Sequence, residues 1–229
     1  VAHLSSPGPE QKFSPFRDTS AIFIRQEIFM DMNLEGLEAV FPRTLSCLGE
    51  GEKKKLLTEF ARKFSDGPQL AALFPFFLKE KKWPGASGFI PDLAALEWAL
   101  RLAEKAPSVP NKGFERVVMA SEPEWFSAQF RFDPAHAVLV SDWPMDEVFL
   151  DPSVIPERRP GKYLVYRQAG EGKVRALDEN EARLIEALSL GIPLGVILDK
   201  PGGPDFDAFL FHDWIETGLL SSIHWAQQA

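Results

Sequence analysis

Lys162-Tyr163-Leu164-Val165-Tyr166-Arg167-Gln168 and Lys173-Val174-Arg175-Ala176-Leu177 read as two period-two strands around the turn Ala169-Gly170-Glu171-Gly172. That pairing predicts an antiparallel β-ribbon. Leu177-Asp178-Glu179-Asn180-Glu181-Ala182 then opens a helix ending near Leu190-Gly191. A second short helix is expected over Ile192 to Lys200. A third is expected over Asp205 to Leu220, closing in Thr217-Gly218-Leu219-Leu220. A ribbon followed by three short helices suits the gripping of an extended peptide. The same order of elements suits a DNA-reading wing and helix, so charge has to decide.

Charge argues against DNA. The 229 residues carry a net charge of -8. Up to Lys112 there are 15 Lys and Arg against 14 Asp and Glu; beyond it, 10 against 19. Nucleic-acid binders gather cations where phosphates will lie. Here the module most like a DNA reader is in the acidic half, and its third helix carries Asp205, Asp207, Asp213 and Glu216 without a Lys or Arg.

The 45% hydrophobic and 25% charged fractions are those of an ordinary globular protein. No apolar run approaches the roughly 20 residues that span a bilayer. The start, Val1-Ala2-His3-Leu4, lacks the regions of a secretory signal, and the single Cys47 excludes an internal disulfide. Both fit a cytoplasmic protein. Cys47 sits between Leu45 and Leu48, where a buried, inert thiol is expected.

Residues 1–18 are expected to be flexible, followed by a helical domain over 19–106. Its first helix carries Ile22, Ile24, Ile28, Phe29, Met32, Leu37 and Val40 and ends at Phe41-Pro42, because proline disfavours helix in the residue before it. Helices are expected over Arg43 to Leu48, Gly51 to Phe64 and Gln69 to Lys82, the last broken or kinked at Pro75. Pro91 sits at the first turn of the last. Residues 107–113 read as a linker, and 114–229 as an α+β domain whose winged helix-turn-helix-like module covers about 162–220. Short strands are expected over Ala128 to Phe132 and Ala137 to Val140, and a helical segment from Pro144 to Phe149. The fold class is therefore α+β: an all-helical first domain, then a small antiparallel sheet with three helices.

The C-terminal module resembles the PqqD-like family, which recognises precursor peptides of ribosomal natural products. Two further stretches point the same way. Phe41-Pro42-Arg43-Thr44-Leu45-Ser46-Cys47-Leu48-Gly49 matches a Phe-Pro-x-Thr-x-x-x-Leu-Gly pattern, and Pro91-Asp92-Leu93-Ala94-Ala95-Leu96-Glu97-Trp98 matches Pro-x-Leu-x-x-Leu-Glu-Trp. With Ser141-Asp142-Trp143-Pro144, Tyr166-Arg167 and the closing Gly-Leu-Leu, the chain from about Ala21 is similar to a bacterial family whose N-terminal segment carries a DNA-binding label. That resemblance implies a partner subunit of multinuclear non-haem iron enzymes with a triosephosphate-isomerase-type barrel. Such pairs oxidatively rewrite cysteines of a ribosomal peptide, as in methanobactin and thiaglutamate biosynthesis. It implies iron in the partner, no cofactor of this chain's own, and an enzyme-facing surface at Trp83, Trp143 and Pro144. The family's His-Pro before the second strand is Asp133-Pro134 here, so any role of that histidine does not carry over.

No catalytic or metal-ligating constellation is visible. His3, His136, His212 and His224 are scattered, and none has the i, i+4 partner that puts two ligands on one helix face. There is no P-loop, dinucleotide fingerprint or nucleophile elbow. Glu97 reads as a paired structural carboxylate capping a helix or bonding an arginine. The lysine clusters at 53–55 and 79–82 are diluted by Glu50, Glu52, Glu59 and Glu80. Peptide capture is expected by β-augmentation. The receiving edge is Lys173, Val174, Arg175, Ala176 and Leu177, with Leu210, Phe211 and Trp214 walling the groove. Lys173 and Arg175 share a strand face and are expected to pair with acidic peptide residues.

Overall fold

The structure, a computed structural model, describes residues 34–64, 70–110, 112–117, 119–205 and 208–225. The expected flexible start, the first helix before Leu34 and Phe206 lie outside them.

Five helices open the fold: α1 (Leu34–Val40), α2 (Pro42–Ser46), α3 (Glu50–Lys63), α4 (Leu70–Lys79) and α5 (Ile90–Lys105). Their apolar stripes meet in a cluster of phenylalanines, with Phe60 in edge-on contact with Phe74 and Phe77. Pro75 does not break α4; the helix runs through it and buries the ring. Glu97 of α5 is 5% exposed, and its carboxylate accepts the N–H groups of Arg43 (2.8 Å) and Thr44 (2.9 Å) at the start of α2. Of the two structural roles the sequence left open, capping a helix or bonding an arginine, it takes the first. Burial pushes its carboxyl above the ordinary value of 4.5.

Beyond α5 the chain forms α6 (Glu122–Ser127), β1 (Gln129–Phe132), β2 (Ala137–Ser141), α7 (Met145–Leu150), β3 (Gly161–Gln168), β4 (Glu171–Leu177), α8 (Glu179–Ser189), α9 (Leu194–Leu198), α10 (Ala208–Glu216) and β5 (Leu220–His224). The fold is thus α+β with two small antiparallel sheets, β2-β3-β4 and β1-β5. Only Ala169 and Gly170 remain outside the β3–β4 ladder, both with positive φ, so the hairpin is tighter than the four-residue turn expected. The third helix is also shorter than expected. It stops at Glu216, Gly218 turns the chain at φ +74°, and the expected helical end at Leu220 instead starts β5, which pairs with β1.

The three-stranded sheet is packed on both faces. Tyr163 and Val165 join the cluster built by the helices, and α5 lies against β3 and β4. Leu164, one residue out of phase, belongs to a second cluster with α8, α9, α10, β1 and β5. Period-two alternation therefore supplies both cores from one strand. The linker is pinned at each end. Arg167 donates to the carbonyls of Ala106 and Pro107, while Lys112 bonds β5 through Ser221 O (3.2 Å) and Ile223 N (3.0 Å).

His136 is 9% exposed, its ring tilted against that of Phe132, with Nδ1 donating to Asp133 O at 2.5 Å. Burial pushes the ring below its ordinary value of 6.5. Below pH 6.5 the unfolded chain gains a proton that the folded ring resists. Stability from this site is therefore complete above that pH and falls as the pH drops below it. Denaturant midpoints between pH 7.5 and 5.5 should fall more steeply for the wild type than for His136→Gln. Taking the difference between the two removes the opposite contribution of Glu97.

Candidate functional site

β4 is an edge strand: β3 is its only sheet neighbour among the described residues. The register pairs Leu164 with Arg175 and Val165 with Val174. Lys173, Arg175 and Leu177 thus share the α8 face, and Val174 and Ala176 the α5 face, as period two requires. Val174 packs against the helical cluster, Leu177 against the second cluster, and Ala176 is exposed.

The two cations of this strand differ in what they hold. Lys173 lies 2.7 Å from Glu171, with both side chains largely in water. Arg175 is engaged within the fold, which corrects its expected role as a free contact for acidic peptide residues. Its guanidinium forks onto both carboxylate oxygens of Glu181, with Nη1 2.6 Å from Oε2. Glu181 also accepts the indole N–H of Trp214 at 2.8 Å. Asp178 sets this up by N-capping α8 through Glu181 N (2.7 Å), which turns the Glu181 side chain back under the strand. β4, α8 and α10 are thereby tied through one carboxylate that is 5% exposed on its side chain.

Trp214 is fully buried and Phe211 is 2% exposed, so both are core side chains rather than walls of a groove along β4. Their i, i+3 stripe faces β1, where Phe130 stands 4.9 Å from Phe211 and Phe132 stands 5.5 Å from Trp214. Leu210 is half-buried against the same cluster. Trp83, Trp143 and Pro144 sit at the opposite side of the sheet. Pro144 is buried, while both tryptophans are half-buried against the helical cluster, the Trp83 indole donating to Leu78 O at 2.7 Å.

A cleft of about 680 Å³ lies elsewhere, between α6, α9 and α10. Val117, Trp125, Phe126, Leu194, Phe211 and Ile215 form its apolar lining, and Glu122 and His212 its polar part. Gly195 lets α9 approach α6 closely, since a Cβ there would meet the Phe126 side chain at 2.6 Å. No helix was expected over α6; the signal that could have revealed it is Ser121-Glu122-Pro123-Glu124, where Glu124 accepts Ser121 N at 2.8 Å in a capping box.

Burial raises the half-buried Cys47 thiol above its ordinary 9.0, with Sγ 3.2 Å from Arg43 O. His212 is exposed, 3.2 Å from Glu216 one turn on. Lys53, Lys63, Lys79 and Lys81 pair with Glu38, Glu80, Asp92 and Glu59. No cluster of three or more metal-ligating side chains occurs, and no helix is long and apolar enough to cross a membrane, among the described residues. Comparison of the chain with protein-family models and with curated proteins gives no match.

Proposed function

We propose that this chain is a non-catalytic subunit that holds a ribosomal precursor peptide for an iron-dependent oxidative enzyme. The observation that supports it is the edge strand β4 of an antiparallel β2-β3-β4 sheet followed directly by α8, α9 and α10. An extended peptide completes such an edge through main-chain hydrogen bonds, and side chains on alternate faces select its sequence. In this reading, the winged-helix module supplies the edge. Arg175 and Glu181 fix its geometry, Lys173 meets acidic leader residues, and Trp83 and Trp143 lie on the surface facing the enzyme. Iron belongs to the partner, a barrel enzyme expected to be encoded beside this chain.

A DNA-reading module would instead need cations on α10, whose described residues carry Asp213 and Glu216 and no Lys or Arg. Retention on DNA that weakens with salt would favour that alternative.

The first test is co-expression with the neighbouring iron-barrel protein, one partner tagged, followed by size exclusion. A stoichiometric complex is expected, and a solitary monomer would sink the partner-subunit reading. The complex is then titrated with the leader peptide. Lys173→Glu should weaken an acidic leader by about threefold to fivefold, the scale of an exposed ion pair, without altering the fold. Amide exchange in β4 should slow when the peptide is bound; unchanged exchange there would remove the edge from the mechanism.

A further inference from the structure

The cleft between α6, α9 and α10 is not needed for capture on β4, and its chemistry differs from that of the strand. Among the described residues that line it, none is Lys or Arg. Glu122 stands exposed on α6, and Glu216 lies beside His212 on α10. Residues 178–229, which supply two of its three walls, carry nine Asp and Glu against Arg183 and Lys200 alone. Arg183 is paired with Glu179. Phe126, which lines the cleft, is 37% exposed. Arg116, beside Val117, is neutralised by Glu124 of α6, and apolar surface rimmed by polar groups is the mark of an interaction site.

We propose that this cleft is a second docking site, for a helical segment of a partner protein. That segment carries large apolar side chains one turn apart, flanked by Lys or Arg. The volume lies within the roughly 300–1,000 Å³ of pockets that enclose apolar groups. Amphipathic helices use such clefts by seating i, i+3 and i+4 anchors. The acidic surround sets the sign of the flanks: cations gain from it and acidic segments or anionic lipid surfaces are repelled, which governs selection and encounter rate. The assignment stands independently of the peptide reading of β4.

The test uses the intact chain and two short synthetic helices with leucines at i, i+3, i+4 and i+7, one with lysine and one with glutamate at all other positions. Binding is read by calorimetry and by the fluorescence difference between wild type and Trp125→Phe. The lysine helix is expected to bind at least about tenfold more tightly than the glutamate helix. Phe126→Asp should abolish binding. Glu122→Lys, which touches only the exposed face of α6, should weaken it about threefold to fivefold. Lys173→Glu on β4 should leave it unchanged, which separates this site from the edge strand. Equal binding of the two helices would overturn the proposal. So would no binding of either, adsorption to anionic vesicles instead, or insensitivity to Phe126→Asp and Glu122→Lys in variants with native circular dichroism.

Discussion

Glu181→Ala is expected to destabilise the chain by about 4 kcal/mol, the scale of breaking a buried ion pair. The loss has two parts. Arg175 forfeits both oxygens of a bidentate partner, and the Trp214 indole N–H is left without an acceptor at a fully buried position. An orphaned buried donor costs about 1–3 kcal/mol by itself. Arg175→Met in the same background makes the prediction specific, because it removes the stranded cation. Arg175→Met with Glu181→Ala should therefore be less damaging than Glu181→Ala alone, recovering the ionic part and keeping the cost of the indole. Urea unfolding of the four-member cycle measures the coupling. Additive losses would mean that strand and helices are not held together by this carboxylate. The same network bears on peptide capture, since an acidic peptide reaching Arg175 must displace Glu181 to do so.

Gly113→Ala is expected to cost about 3 kcal/mol, combining left-handed backbone strain with overpacking. Gly113 has φ +84°, and a Cβ there would stand 2.2 Å from Ile223 O. That carbonyl belongs to β5, which Lys112 bonds through Ser221 O and Ile223 N, and Gly113 O itself accepts the Trp225 indole at 2.8 Å. The end of the linker is therefore fitted against β5 on several sides at once. Gly113→Asn separates the two causes. Asparagine tolerates the left-handed region but brings the same Cβ. If contact dominates, Asn and Ala destabilise equally; if conformation dominates, Asn recovers most of the loss. Denaturation followed by tryptophan fluorescence reads both, and a wild-type midpoint for Gly113→Ala would show that β5 yields easily at this point.

Elements with a strong local pattern were legible in the sequence. The helices over 50–63 and 90–105 and the β3–β4 ribbon lie where their periodicity and proline positions put them. β5 was hidden by its own composition. Leu220-Ser221-Ser222-Ile223-His224 has two serines where an alternating strand would be read from apolar residues, and they are buried because Ser221 Oγ bonds the carbonyls of Arg131 and Phe132. Asp205 to Leu220 looked like one helix because nothing local marks Glu216 as its end except Gly218 beyond it. At the candidate site, the shared face of Lys173 and Arg175 followed from strand period. The engagement of Arg175 did not, since it depends on how α8 turns beneath the sheet. The cleft was least legible, as it brings the short α6 against α9 and α10 from much later in the chain.

Ala169 carries a further consequence. It is the only non-glycine residue with positive φ among the described residues, at 52°, in a position where hairpins favour Asn or Asp before glycine. An alanine there costs about 1 kcal/mol relative to a residue suited to it. The tip therefore does little to bring the two strands together; their shape is imposed by α5 on one face and α8 on the other. In time, this places hairpin closure late. The ribbon that distinguishes the sequence is expected to zip only after the helices have collected around it, so that folding proceeds from the flanks toward the turn.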